Sequence, residues 1–134
     1  MLDVAADVTN TVASTFYTES QNGLKHPWYG RVFCNPPYNN ILPWVLKAQE
    51  EVSHPATRVG SIVMLLPART SAGWFRQLSK PPASYIQLIE FLPKRVQFDP
   101  PPGVKYSSNP EGSLLVVMWP NIDFNSYAME EAYE

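Results

Sequence analysis

Little in this chain of 134 residues suits disulfide, metal or phosphate-loop chemistry. It holds one cysteine, Cys34, so no internal disulfide can form, which fits a reducing compartment. Its two histidines, His26 and His54, stand apart without zinc-like Cys/His spacing, and no metal is expected. Six glycines, none in a Gly-rich run, leave no loop to cradle a phosphate, and a P-loop nucleotidase is set aside. No run of about 18 uncharged apolar residues exists to cross a bilayer. The first ten residues, MLDVAADVTN, carry acids where a secretory signal would carry Lys or Arg. Both features predict a soluble, cytoplasmic protein that does not enter a membrane.

Positive charge is also short. Ten Lys and Arg stand against twelve Asp and Glu, a formal net charge of −2, which is not the footprint of a nucleic-acid binder. The deficit is local, however. The last fourteen residues hold Asp123, Glu130, Glu131 and Glu134 and no base, leaving ten bases against eight acids over residues 1–120. That balance is compatible with a basic face.

What is present describes one folded unit, residues 1–120, followed by an acidic tail, 121–134. RVFCN and VGSIVMLLPA are short β-branched and apolar runs bounded by Gly or Pro, and SLLVVMWP is a third; all three predict strands buried on both faces. Between the first two, NNILPWVLKAQEEV sets Ile41, Val45, Ala48 and Val52 at helical spacing, with Asn39 or Asn40 to cap and Pro43 in the first turn. Strand, helix, strand in this order predicts a parallel α/β sheet, Rossmann-like and doubly wound. RTSAGWFRQLSK is a weaker helix, broken by Gly73, and SYIQLIEFLPKRVQFD reads as extended. The proline-rich loop DPPPGVKYSSNPEG then joins two strand candidates, which predicts an antiparallel hairpin at the sheet edge. LDVAAD reads as the last residues of a strand running into a turn.

Asn35-Pro36-Pro37-Tyr38 lies directly after RVFC, at the carboxyl end of a strand, where open α/β sheets hold ligands. Two prolines fix φ twice and remove two N–H donors, and Pro37 drives Pro36 toward an extended conformation. What remains is a stiff, acceptor-only stretch, with the Asn35 side-chain oxygen and the Pro36 carbonyl able to face one cleft. Such acceptors suit a planar amine that must become nucleophilic. Two hydrogen bonds accepted from an adenine N6 amine favour a pyramidal nitrogen and free its lone pair for attack, so the work is positioning and electrostatics. Tyr38 offers a face on which a flipped-out base can stack.

With LDVAAD, FYTESQNGL, Trp28, GRVFCNPPYNNILPWVLKA, VMLLPARTSAGWF and LLVVMWP in one order, the chain resembles the S-adenosylmethionine-dependent amino-methyltransferases. More closely, it is similar to phage and prophage DNA N6-adenine methyltransferases of the Dam type. The resemblance implies a class I methyltransferase-like fold over residues 1–120, S-adenosylmethionine as cofactor, DNA as partner, and a phage- or prophage-encoded protein at work in a bacterial host cell. It further implies that Asn35 and Pro36 orient the target amine, with Pro37 and Tyr38 completing the catalytic motif. Asp3, Ala5 and Ala6 would form the cofactor turn, Thr18 and Glu19 would reach the ribose hydroxyls, and Asn22, Gly23 and Leu24 would hold the adenine. Arg69 would border the cleft and contact DNA, as would Lys94, Arg95 and Lys105 around the proline-rich loop. Members of this group carry an upstream segment with a Thr-Pro pair and aromatic residues; this sequence opens at MLDVAAD, and an N-terminally abbreviated form of the fold is expected.

The motif's chemistry serves other amines equally: N4 of cytosine, a guanine amine of RNA, or a protein glutamine. Methylation at C5 of cytosine is disfavoured, since it needs a Cys nucleophile after a proline whereas Cys34 precedes the motif as a packing residue. A non-catalytic domain of this fold, binding DNA or a partner through the same cleft, is the alternative of a different class. So small a domain has little surface with which to hold a duplex, so a partner or homodimer is a further expectation. Trp74 and Phe75 are expected in the core.

Overall fold

The computed structural model describes residues 1–7, 9, 11–92 and 112–122. Six strands form one sheet: β1 (Leu2–Ala6), β2 (Thr15–Thr18), β3 (Tyr29–Cys34), β4 (Arg58–Pro67), β5 (Tyr85–Leu92) and β6 (Ser113–Pro120). Their order is β2-β1-β3-β4-β6-β5. The first four are mutually parallel, whereas β6 runs antiparallel to both β4 and β5. The chain therefore winds outward from β1 to β2, returns to β3 on the other side of β1, and winds outward again. This doubly wound order places a switch point between β1 and β3, and the predicted edge hairpin is the pair β5 and β6.

The helix α1 (Leu42–Ser53) joins β3 to β4. Pro43 sits in its first turn, and Trp44, Val45, Ala48 and Val52 form its buried stripe. The expected Asn cap is not used. Ile41 holds the N-cap position without a side-chain hydrogen bond, because the Trp44 and Val45 N–H groups are satisfied by the Ile41 carbonyl. The helix stops at His54, which is extended because Pro55 follows it.

A short helix, α2 (Gly73–Leu78), begins at Gly73 rather than breaking there. It packs beside α1, where Gln49 donates to the Gln77 carbonyl at 3.1 Å and to the Tyr85 hydroxyl at 2.9 Å. Both helices cover one face of the sheet, enclosing Val32, Cys34, Ile62, Met64, Leu66, Leu114, Val116 and Met118. As expected, Trp74 is in this core and Phe75 packs against it.

On the opposite face the strand registers align Phe33, Val63, Val117 and Leu88 in one row, with Leu115, Trp119 and Ile86 beside them. Among the described residues no helix lies over that face, and Ile86 and Leu88 are 42% and 54% exposed.

One correction and one strand not expected from the sequence concern the start of the chain. Asp3-Val4-Ala5-Ala6 is strand throughout rather than a turn, since β1 has parallel partners on both sides, β3 at Leu2 and Asp3 and β2 as far as Ala6. The strand β2, TFYT, carries no buried apolar run and exists through its pairing with β1. No helix among the described residues is long and apolar enough to cross a membrane.

Candidate active site

A cleft of about 790 Å³ opens at the carboxyl ends of β1, β2 and β3. Its floor and walls come from β1 (Asp3 to Ala6), the turn after β2 (Thr18, Glu19), the loop and 3-10 turn around Asn22, Gly23 and Leu24, and the segment Asn35-Pro36-Pro37. Asp7, Val12, Phe33, Asn39, Asn40 and Trp44 complete it. The volume lies within the range of sites that take a small molecule, roughly 300–1,000 Å³.

Each part is held by identifiable contacts. Asp3, buried in β1, accepts hydrogen bonds from the Val12 N–H at 3.1 Å and the Thr11 hydroxyl at 3.2 Å on one oxygen, and from the Ala5 N–H at 3.3 Å on the other. Its carboxylate thus fastens the β1 to β2 connection onto the strand. Asn22 adopts a left-handed conformation, φ 59°, and its side-chain oxygen accepts from the Leu24 N–H at 3.1 Å, which starts the 3-10 turn Gly23–Lys25. Gly23 must lack a side chain because a Cβ there would collide with the Val4 carbonyl and press on the Trp44 ring. Its own carbonyl accepts from the Trp28 indole N–H at 2.8 Å, and Trp28 stacks on Trp44 with ring centroids 6.4 Å apart. The turn is therefore clamped between β1 and α1.

Across the cleft, Pro36 is buried and Asn35 half-buried. The Asn35 carboxamide has no hydrogen-bond partner among the described residues, so both its polar atoms remain available to a ligand. Cys34, one residue earlier, points into the core, where burial first and the Asp3 charge second push its thiol well above the usual range. Among the described residues no Lys or Arg lines the cleft, whereas Asp3, Asp7 and Glu19 do. Among the described residues no cluster of His, Cys, Asp and Glu could hold a metal.

The family model described as DNA N-6-adenine-methyltransferase (Dam) matches residues 1–131. The chain belongs to this methyltransferase family. A DNA N-6-adenine-methyltransferase of Haemophilus phage HP1 (strain HP1c1) is 33% identical over 129 residues, 93% of this chain and 70% of that protein. One of Escherichia phage T1 is 39% identical over 88 residues, 63% of this chain and 35% of that protein. Among solved structures, a protein of Pyrococcus horikoshii ascribed the role of an RNA methyltransferase is similar at a TM-score of 0.47 and 13% identity, over 89% of this chain and 61% of its own.

In this methyltransferase the structure brings Asn35, Pro36 and Pro37 into one cleft with Asp3, Ala5, Ala6, Thr18, Glu19, Asn22, Gly23 and Leu24. Tyr38 is not among the cleft residues; its ring is half-buried and packs against the core. Arg69 follows β4 and is exposed, but it too stands outside the cleft lining, at the start of a turn in which the Ala72 N–H bonds the Arg69 carbonyl. Lys94, Arg95 and Lys105 lie outside the described residues. Asp7, Val12, Phe33, Asn39, Asn40 and Trp44 are lining residues that motif reasoning passed over. Asn39 and Asn40 could have been found by their position directly after Tyr38.

Proposed function

We propose that this cleft is where the methyltransferase brings S-adenosylmethionine to the N6 amine of an adenine flipped out of DNA. The carrying observation is the Asn35 carboxamide, fixed beside Pro36 at a strand end and bonded to nothing else among the described residues. Its oxygen and the Pro36 carbonyl accept the two amine hydrogens, which draws the nitrogen out of conjugation with the ring. The stiffness of two prolines holds both acceptors in place before substrate arrives, so little reorganisation is needed at the moment of transfer.

The residues present fit the cofactor. When bound, S-adenosylmethionine supplies an electrophilic methyl group on a positively charged sulfur. Asp7 and Glu19 give its side of the cleft a complementary sign, and the bare Gly23 backbone lets a flat ring lie against the 3-10 turn. Asn22, Gly23 and Leu24 would hold the adenine, Thr18 and Glu19 the ribose, and Ala5 and Ala6 the close approach to β1. Asp3 serves these contacts by holding the Val12 side of the cleft.

Among the described residues the cleft lining holds no cation, and attraction of the DNA backbone is assigned to Lys94, Arg95, Lys105 and Arg69. Tyr38 is half-buried against the core, and the exposed part of its ring would meet the target base. Pairing of two copies belongs to the same proposal, supported by the apolar face bearing Ile86 and Leu88, over which no helix lies among the described residues; sedimentation equilibrium reads it, and a monomer at every concentration would remove it.

Treated DNA digested to nucleosides and analysed by mass spectrometry tests the reaction, with N6-methyladenine expected and N4-methylcytosine contradicting it. In the Asn35→Ala variant methyl transfer is expected to fall at least a hundredfold while the cofactor dissociation constant by calorimetry stays within about twofold. Retained activity would place the chemistry elsewhere, and no cofactor binding by the parent protein would favour a non-catalytic domain.

A further inference from the structure

We propose that Asn39 and Asn40 read the base beside the target adenine and so help to set the sequence context in which this methyltransferase acts. The inference rests on the reading of the cleft given above and deepens it. Both residues line the same cleft as Asn35 and Pro36, and both are exposed. They leave the catalytic segment in a fixed direction, because the Asn40 N–H donates to the Pro37 carbonyl at 3.1 Å and the prolines stiffen the chain just before.

The helix that follows makes no use of them. Asparagine in this place ordinarily caps a helix, yet the N-cap of α1 is Ile41 with no side-chain bond. Two carboxamides therefore stand at the cleft without a hydrogen-bond partner among the described residues.

Each carboxamide offers two N–H donors and one acceptor oxygen. That pattern matches a base edge, and Asn paired with N6 and N7 of adenine is the well-fitted case. A phosphate would call for a cation, and here it would meet Asp3, Asp7 and Glu19 with no Lys or Arg among the described residues of the lining. An uncharged base edge meets no such repulsion. When the target is turned into the cleft its neighbours stay in the stack at the cleft's mouth, and the exposed residues four and five positions after Asn35 stand beside the catalytic segment to meet them.

Duplexes carrying one adenine, with every base in turn at each flanking position, test the proposal. The parent protein, Asn39→Ala, Asn40→Ala and the double variant are compared in two ways: kcat/KM by methyl incorporation, and equilibrium affinity for the same duplexes with S-adenosylhomocysteine present. The parent is expected to rank the flanking bases, and the double variant to flatten that ranking about tenfold, with S-adenosylhomocysteine affinity within about twofold. An unchanged ranking in the double variant overturns the proposal. So does a loss uniform over all flanks, which would mark a phosphate contact or a displaced turn. A parent protein with no flanking preference in either measurement also overturns it. If the parent binds with a preference that the variants lose yet methylates no adenine, the catalytic reading fails while this one stands.

Discussion

Cys34 and Asn35 are adjacent in the chain and treated in opposite ways. The thiol is fully buried in the core, while the carboxamide next to it faces the cleft with no partner among the described residues. Alternation along a strand explains the contrast, since successive side chains leave opposite faces and β3 ends just here. Burial raises the Cys34 thiol, with the Asp3 charge adding to it, so the folded protein holds that proton more tightly than the unfolded chain does. The resulting stability is complete below the unfolded thiol value, about 8.5, and is lost as pH rises from there toward the folded value. Thermal unfolding followed from pH 7 to 10 is expected to show a falling midpoint above about pH 8.5, with a shallower fall in Cys34→Ala. Tyr85, raised by burial against an opposing Gln49 hydrogen bond, adds to the fall only from about pH 10. An equal slope in both proteins would show that the thiol does not control it. The placement of Asn35 was legible in the sequence, because an apolar strand followed by a proline pair admits few geometries. That of Tyr38 was not, since whether an aromatic ring faces cleft or core depends on which neighbours fill the space first.

Among the elements, those built from local pattern were readable and those built by distant partners were not. The strands β3, β4 and β6 and the helix α1 follow from apolar runs and helical spacing. The strand β2 has four half-exposed or exposed residues and takes its conformation from β1 alone, a contact no local pattern announces. On the proposed reading the cofactor side rests on the 3-10 turn Gly23–Lys25, and Gly23 is its tightest point. A methyl group there would strike the Val4 carbonyl, which belongs to the backbone and cannot rotate away. Gly23→Ala is expected to cost about 1–3 kcal/mol in urea unfolding. It should also weaken S-adenosylmethionine binding at least tenfold by calorimetry, because the displaced turn carries the cleft lining with it. Full cofactor affinity in that variant would show that the turn plays no part in holding the ligand.

For the whole molecule, charge is arranged by region. The cleft lining is acidic, so a cofactor with a net positive charge is favoured over its demethylated product, which lacks the sulfonium. Raising salt from about 0.05 to 0.5 M shortens the screening length severalfold. The dissociation constant of S-adenosylmethionine is accordingly expected to rise by a larger factor than that of S-adenosylhomocysteine, measured by calorimetry on the same protein. Equal factors would mean that the carboxylates do not act on the sulfur. The net charge of the sequence pointed away from DNA, and the acids that mislead are partly those of the cleft and partly those of residues 123–134.

The strand order carries one more consequence, for synthesis of the chain. The sheet places β6 between β4 and β5, although β6 is made last. Neither neighbour can complete its ladder until residues 113–120 have left the ribosome, which at about 5–20 residues per second leaves the edge of β4 open on the order of seconds. During that interval β4, RVGSIVMLLP, is an apolar strand with one side unpaired, so a strand that the finished enzyme holds in the middle of its sheet is for those seconds an open edge, the kind on which another chain can pair.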